Sequence, residues 1–392
     1  MHIKKIVYFL LITLLFSFCT SDKKQNNKNN IFSLNIENAK YLDIDAIDLV
    51  KEIEYIPIKE QENTYIKRIE KLEIKGDRIF IKPKNQSIIF IFSDKGELID
   101  KINNIGEGPL QFSNLLDFTV DNNYLYISEM GNLKILKYDL LKRQMVKEWK
   151  LNGISVKSLI SYKDNIYCVT TDRDNGFIYI INDDNFSNPK KLIKNPATFN
   201  MIVSPKPFSL YHDSLFINVG FTDTIYLAKN GNLYPYCNFN NSFGALNNAQ
   251  LEQFQTDFFS RNLNKEEQKI IIPLGLFNIV QGYWFIVMMK PLGIYVWNKE
   301  KNRAFMIDKG KIENYSLLTD KFLIIKYIDN SDYIYTTTYL DKSFYKAAKK
   351  AMLSSNSSLK TALRKLIIKY PEGSGFENPV IVKWKMRTEV FN

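Results

Sequence analysis

Short runs of Ile, Leu, Phe and Tyr alternate with polar clusters along most of the chain, and the alternation is periodic. The apolar run at 88–92 leads into Asp94-Lys95-Gly96, that at 135–138 into Asp139, that at 178–181 into Asp183-Asp184-Asn185, and that at 225–228 into Asn230-Gly231. These turns begin 45, 44 and 46 residues apart, and the next, after Ile294-Tyr295-Val296-Trp297, follows after 69. A second apolar run lies upstream of each turn, at 78–81, 124–127, 165–169, 214–217 and 283–287. Short runs of this composition, bounded by Asp, Asn and Gly, are hairpin strands. A unit of about 45 residues with four strands is a β-propeller blade. Five units are visible between 66 and 310, and a sixth begins at Ser316-Leu317-Leu318 and 322–327. The expected fold is all-β: a six-bladed propeller of four-stranded antiparallel blades.

Two segments interrupt the repeat with helical spacing. Leu251, Phe254, Phe258 and Leu263 predict a helix within 247–270, which accounts for the long fourth interval. Apolar stripes at Phe344, Ala347, Ala348 and Ala351, then Leu359, Leu363, Leu366 and Ile367, predict one or two helices over 342–369. A ring must hide its first and last edges. The strand-like Ile53-Glu54-Tyr55-Ile56-Pro57-Ile58 is therefore expected to complete the final sheet beside Pro379-Val380-Ile381-Val382-Lys383-Trp384.

The N-terminus differs in kind. Lys4 and Lys5 precede an apolar stretch ending at Phe18, followed by Cys19. A basic start and a short apolar core describe a secretory signal, too short to span a bilayer. Residues 1–18 read as a signal peptide and 19–40 as a flexible tether, with the propeller over 41–392. Leu15-Phe16-Ser17-Phe18-Cys19 resembles the lipobox of bacterial lipoproteins, with Phe18 departing from the usual small residue. Cys19 is accordingly the expected lipidation site, attaching the protein to the membrane.

Further motifs carry a wider resemblance. Gly106-Glu107-Gly108-Pro109-Leu110-Gln111-Phe112, the opening Glu54-Tyr55-Ile56-Pro57-Ile58 and the closing Glu377-Asn378-Pro379-Val380-Ile381-Val382-Lys383-Trp384 occur in order. Together they resemble the six-bladed propeller lipoproteins of Gram-negative gut bacteria, themselves similar to NHL-repeat propellers. The resemblance implies an outer-membrane lipoprotein, facing periplasm or surface, with no catalytic motif to carry over. Gly106, Gly108 and Pro109 are expected to shape an inter-blade crossing, since a strand follows them where a phosphate loop would need a helix.

Candidate chemistry is sparse. Of 2 histidines only His212 survives signal removal, between strand-like runs in Tyr211-His212-Asp213-Ser214, so a histidine-based triad or a multi-histidine metal site is excluded. No Ser-x-Asp-x-Gly-x-x-Trp blade motif occurs. Cys168 and Cys237 are expected as buried free thiols. Asp172, Asp174, Asp183, Asp184 and Asp223 offer oxygen ligands of the calcium type, which keeps a lactonase-like, metal-dependent hydrolase as the alternative to binding. Three converging carboxylate or amide oxygens in the channel would favour the enzyme; aromatic and amide lining would favour binding.

Net charge is +11, or +9 once Lys4 and Lys5 leave. Eight cations and no acid fall within 342–369. Of these, Lys346, Lys349, Lys350, Arg364 and Lys365 are the expected contacts to an anionic surface. Nucleic acid is an unsuitable partner outside the cytoplasm. The sequence thus suggests a monomeric envelope protein that binds a protein, peptide or glycan, without cofactor or intrinsic catalysis.

Overall fold

The computed structural model describes residues 31–35, 39–59, 64–151, 153–170, 177–182, 189–194, 206–218, 224–240, 273–289, 292–307, 316–319 and 325–391. The leader with Cys19, the stretch 247–270 expected to be helical, and Asp172, Asp174, Asp183, Asp184 and Asp223 lie outside them.

Three strands precede the repeats: β1 (Phe32–Asn35), β2 (Lys40–Leu42) and β3 (Val50–Pro57). Blade one is β4 (Ile69–Lys75), β5 (Arg78–Pro83), β6 (Ile89–Ser93) and β7 (Leu98–Ile102). Blade two is β8 (Leu115–Val120), β9 (Tyr124–Glu129), β10 (Lys134–Asp139) and β11 (Gln144–Lys150). Blade three is β12 (Val156–Tyr162), β13 (Asn165–Thr170), β14 (Phe177–Ile181) and β15 (Lys190–Lys194). Blade four is β16 (Phe208–Tyr211), β17 (Ser214–Ile217), β18 (Thr224–Lys229) and β19 (Asn232–Asn240). Blade five is β20 (Pro273–Val280), β21 (Tyr283–Met289), β22 (Leu292–Asn298) and β23 (Arg303–Ile307). Blade six is β24 (Tyr327–Ile328), β25 (Tyr333–Thr338) and β26 (Val380–Met386), completed by β3.

The turns show why these residues form hairpins. Asn230 and Gly231 between β18 and β19 have φ of 51° and 68°. Two successive left-handed residues make the two-residue turn whose twist suits antiparallel strands, and Asn-Gly adopts it with least strain. Apolar residues on both faces of the middle strands then fill the space between blades. Each junction has its own cluster: Phe80 and Ile91 meet Phe118 and Leu136, for example, while Phe216 and Ile225 meet Trp284 and Trp297. The sixth junction closes the ring, packing Ile56, Tyr335 and Ile381 against Ile79 and Phe90.

Closure follows the expected pairing. β3 runs antiparallel to β26, with Val382 opposite Tyr55 and Trp384 opposite Ile53. Buried Asn378 fastens the joint: its Oδ1 accepts from the Ile66 amide at 3.0 Å, and its Nδ2 donates to the carbonyls of Ile58 and Thr64. The composition of the sixth blade differs from expectation. Its second strand is β25, Tyr333–Thr338, while Leu317 and Leu318 are buried in a turn held by the Thr336 and Thr338 hydroxyls.

The N-terminal segment also departs from a plain tether. β1 and β2 pair in parallel with β19 and β23, each adding a fifth strand outside its blade. Leu34 is fully buried, and Phe32 lies 5.5 Å from the Tyr236 ring with the Lys299 ammonium 3.9 Å above it. Apolar burial fixes residues that a polar neighbourhood had suggested were loose. The segment therefore follows the outer rim of blades four and five before entering blade six.

Two helices interrupt blade six: α1 (Lys342–Ala351) and α2 (Ser357–Lys369). Asp341 and Asn356 cap them, each accepting an amide hydrogen from three residues on. They bury Phe344, Ala348 and Ala351, and Leu359, Leu363 and Leu366, against the blade-five and blade-six core. No described helix is long and apolar enough to cross a membrane.

Candidate functional site

The innermost strands carry the polar residues that face the ring's axis. Lys71 and Glu73 are two apart on β4, and Asp117 and Thr119 two apart on β8, so each pair shares a strand face. Around them lies a cavity of about 520 Å³, walled by β4, β8, β12, β16 and β24.

Lys71 is the hub. Its ammonium lies 2.9 Å from Asp117 Oδ1 and 3.2 Å from Glu73 Oε1, and donates to the Leu159 carbonyl at 3.3 Å. Asp117 Oδ2 accepts from the Ser158 hydroxyl and the Leu159 amide, both at 2.9 Å. Glu73 Oε2 accepts from the Val120 amide at 2.8 Å and the Thr119 hydroxyl at 3.4 Å. One lysine thereby joins blades one, two and three. Burial pulls its ammonium pKa down, but Asp117 and Glu73 outweigh that and hold it above the ordinary value. Burial is also the main cause that raises the Glu73 carboxyl.

Two more lysines bridge blades. Lys206, just before β16, donates to the carbonyls of Ile325 and Lys326 at 3.2 and 3.3 Å, reaching from blade four to blade six. Lys326 donates to the Ile69 carbonyl at 3.0 Å, and the Tyr327 hydroxyl to that of Ile74 at 2.9 Å, joining blade six to blade one. Burial, reinforced by the charges of Lys326 and Lys71, lowers Lys206 to about 7. Buried Ser209 lines the same cavity, and its hydroxyl has no hydrogen-bond partner among the described residues.

None of these residues was marked out by sequence reasoning, which looked for carboxylates in turns. Among the described residues no three His, Cys, Asp or Glu side chains group as a metal site. Nor is the wall mainly the aromatic and amide lining expected of a binding channel: among the described residues it mixes lysines, carboxylates and hydroxyls with aliphatic side chains such as Leu72, Leu159 and Ile160, and with Phe208 and Tyr327. The available signal was the cluster of charge in a single strand, Glu70-Lys71-Leu72-Glu73 of β4.

The residues singled out from sequence lie elsewhere. Gly106, Gly108 and Pro109 sit in the crossing from β7 to β8. The Gly106 amide donates to Phe112 O, the Gly108 amide to Gln111 Oε1, and the Leu110 amide to Glu148. Gly106 has φ of 156°, and a Cβ there would collide with the Gln111 amide. Lys349 pairs with Glu372 at 3.1 Å and Lys350 with Asp45 at 3.0 Å. Lys346, Arg364 and Lys365 are exposed on the helices, and Lys365 also borders a groove of about 540 Å³ between α2 and β3. His212 is exposed at the β16–β17 turn. Cys168 and Cys237 are free and buried; burial raises both thiols, Cys237 to about 12.

Fold and channel define a six-bladed propeller whose axis is crossed by lysine bridges. The chain belongs to the family described as Domain of unknown function (DUF4934), which matches residues 29–385. No curated protein matches it. Among solved structures it is similar to a Bacteroides fragilis NCTC 9343 protein provisionally named as exported. That match has 15% identity and a TM-score of 0.66, covering 90% of this chain and 99% of the other. A member of the DUF4221 family from Bacteroides vulgatus ATCC 8482 matches at 12% identity and TM-score 0.41, covering 66% of this chain and 84% of that one. Virginiamycin B lyase from Staphylococcus aureus matches at 10% and 0.39, covering 65% and 73%. At these identities the first likeness speaks to fold alone, and the other two carry no argument.

Proposed function

We propose that this protein is an exported, lipid-anchored envelope propeller that binds a ligand at its channel and does not transform it. One observation carries the reading: Asp117 and Glu73 are each engaged by Lys71 and by backbone amide and side-chain hydroxyl donors. Carboxylates held in this way are poorly placed to serve as a general base or a calcium-type ligand. The space beside them is nevertheless large enough for a small molecule or the tip of a peptide or glycan. The provisional name of the Bacteroides fragilis protein supports export, and the leader ending at Cys19 supports attachment to the outer membrane.

The test uses the full chain purified in detergent. It should bind saturably to members of a peptide and glycan array while leaving a panel of lactones intact with calcium present. Calcium-dependent lactone hydrolysis that Asp117→Asn abolishes would replace this reading with the enzymatic one. Separately, Cys19→Ala should release the protein into the soluble periplasmic fraction; retention in membranes at high salt would overturn the anchor.

A further inference from the structure

Blade six has an unpaired outer edge. Its sheet runs β24-β25-β26-β3, so β3 is the outermost strand. The Ile58 amide donates to the Pro379 carbonyl at 3.2 Å, and the register with β26 continues unbroken from there to Glu52. Opposed residues in an antiparallel ladder alternate between bonded and non-bonded pairs. The amides and carbonyls of Ile56 and Glu54 therefore turn inward to β26, and those of Tyr55 and Ile53 turn outward. Among the described residues no hydrogen bond takes up these outward groups.

Blades four and five show what such an edge accepts. Outside them, β1 and β2 add a fifth strand, parallel to β19 and β23. On blade six the corresponding edge opens on the groove of about 540 Å³ between β3 and α2. Ile53, Glu54 and Tyr55 all line it although their side chains alternate in direction, so the groove meets β3 along its edge. α2 is fixed at one end, where Asn356 Nδ2 donates to the Val50 carbonyl at 2.9 Å, and supplies Thr361 and Lys365 to the opposite wall. Lys365 is exposed and has no ion pair among the described residues. Lys369 continues the positive side beyond it, whereas Glu54, the one acid lining the groove, pairs with Lys383 at 3.8 Å.

We propose that this groove docks an extended, acidic peptide segment of a partner protein, which adds to β3 as a further strand. Pairing with the outward groups of Tyr55 and Ile53 supplies main-chain hydrogen bonds, the source of affinity where a sheet edge accepts a peptide. Acidic side chains of the segment meet Lys365 and Lys369. Pro57 faces outward without an amide hydrogen, which ends the pairing on that side. The site lies on the outer rim, apart from the channel.

The experiment selects short peptides from a random phage-displayed library on the full chain in detergent, then titrates synthetic copies by fluorescence anisotropy. Selected peptides are expected to alternate apolar and acidic residues and to lack internal proline. Thr361→Trp, which fills the groove from an exposed position on α2, should weaken them at least tenfold, and Lys365→Glu several-fold at low salt. N-methylation of one alternate set of peptide amides should abolish binding, and of the other set should spare it. Should Thr361→Trp fail to fold, Lys365→Glu and the methylated peptides decide. Peptides that tolerate both methylated sets, or that a glutamate homopolymer equals, would reduce the groove to a charged surface and overturn the inference. So would an empty selection. Peptides that both variants leave unaffected would also overturn it, and would point to the channel function proposed above instead.

Discussion

On the two helices, lysines stand in water: the Lys349 side chain is 76% exposed and that of Lys350 62%, each in one ion pair. In the channel, the Lys71 side chain is 24% exposed and contacts two carboxylates and a carbonyl from three blades. The same residue type is doing different work. Solvent and counter-ions screen the first set, so each pair there is worth about 0–1 kcal/mol. Desolvation makes the second set conditional on its partners, because a buried charge left alone is costly. A dense run of charge in sequence is therefore a poor guide to where charge matters. The eight cations of 342–369 are conspicuous and individually weak, whereas the channel cations come one at a time from residues 71, 206 and 326.

The comparison breaks most visibly at Lys71. Lys71→Met would strand Asp117 and Glu73 and should cost about 3–5 kcal/mol in denaturant unfolding. Adding Asp117→Asn should recover part of this, since the amide oxygen can still accept from Ser158 and Leu159. A loss below about 1 kcal/mol for the single change would mean that channel and surface lysines are alike.

Asn378 provides a neutral reference between the two. It is buried and bonds to three backbone groups at the ring closure, so Asn378→Ala should cost about 2–3 kcal/mol, read as a lowered unfolding midpoint with unchanged slope. Loss of no more than a surface ion pair would indicate that the joint is held by β3 alone.

The smallest effects belong to the helices. Lys349→Gln and Lys350→Gln should each change stability by no more than about 0.5 kcal/mol. Their collective role would appear only at an anionic surface, where each nearby cation adds about 1 kcal/mol. Changing Lys346, Lys349, Lys350, Arg364 and Lys365 together to Gln should therefore reduce cosedimentation of the Cys19→Ala protein with anionic vesicles at low salt. Equal, salt-independent binding of the two forms would reduce these lysines to solvated helix faces.

The architecture was largely legible because it is written locally. Turn spacing near 45 residues set the blades, and the Asn378-Pro379 motif marked the closure. The two C-terminal helices followed from stripes such as Leu359, Leu363 and Leu366. Errors arose where local pattern and tertiary context disagree. β1 was missed because Phe32 and Leu34 sit in a polar neighbourhood and find their apolar partners in blades four and five. β25 was missed because its Tyr-Ile-Tyr-Thr-Thr-Thr run lacks the aliphatic signature, its threonines instead bonding to the 316–318 turn. The candidate site was not legible. Lys71 and Asp117 lie one blade repeat apart, 46 residues, but no spacing in sequence relates them to Lys206 and Lys326, which the ring brings beside them.

The central claim, that burial and neighbouring charge govern the channel lysines, can be read directly at Lys206. Its free-protein value of about 7, against 10.5 for an ordinary lysine, means that the unfolded chain holds the extra proton between these values. The group's contribution to stability is thus complete above 10.5 and lost as pH falls towards about 7. The measurement is a pH titration of the full chain carrying ε-13C-lysine, followed by NMR, with the Lys206 signal assigned by its loss in Lys206→Arg. The account predicts a midpoint near 7. A midpoint that is already near 10.5 would contradict it.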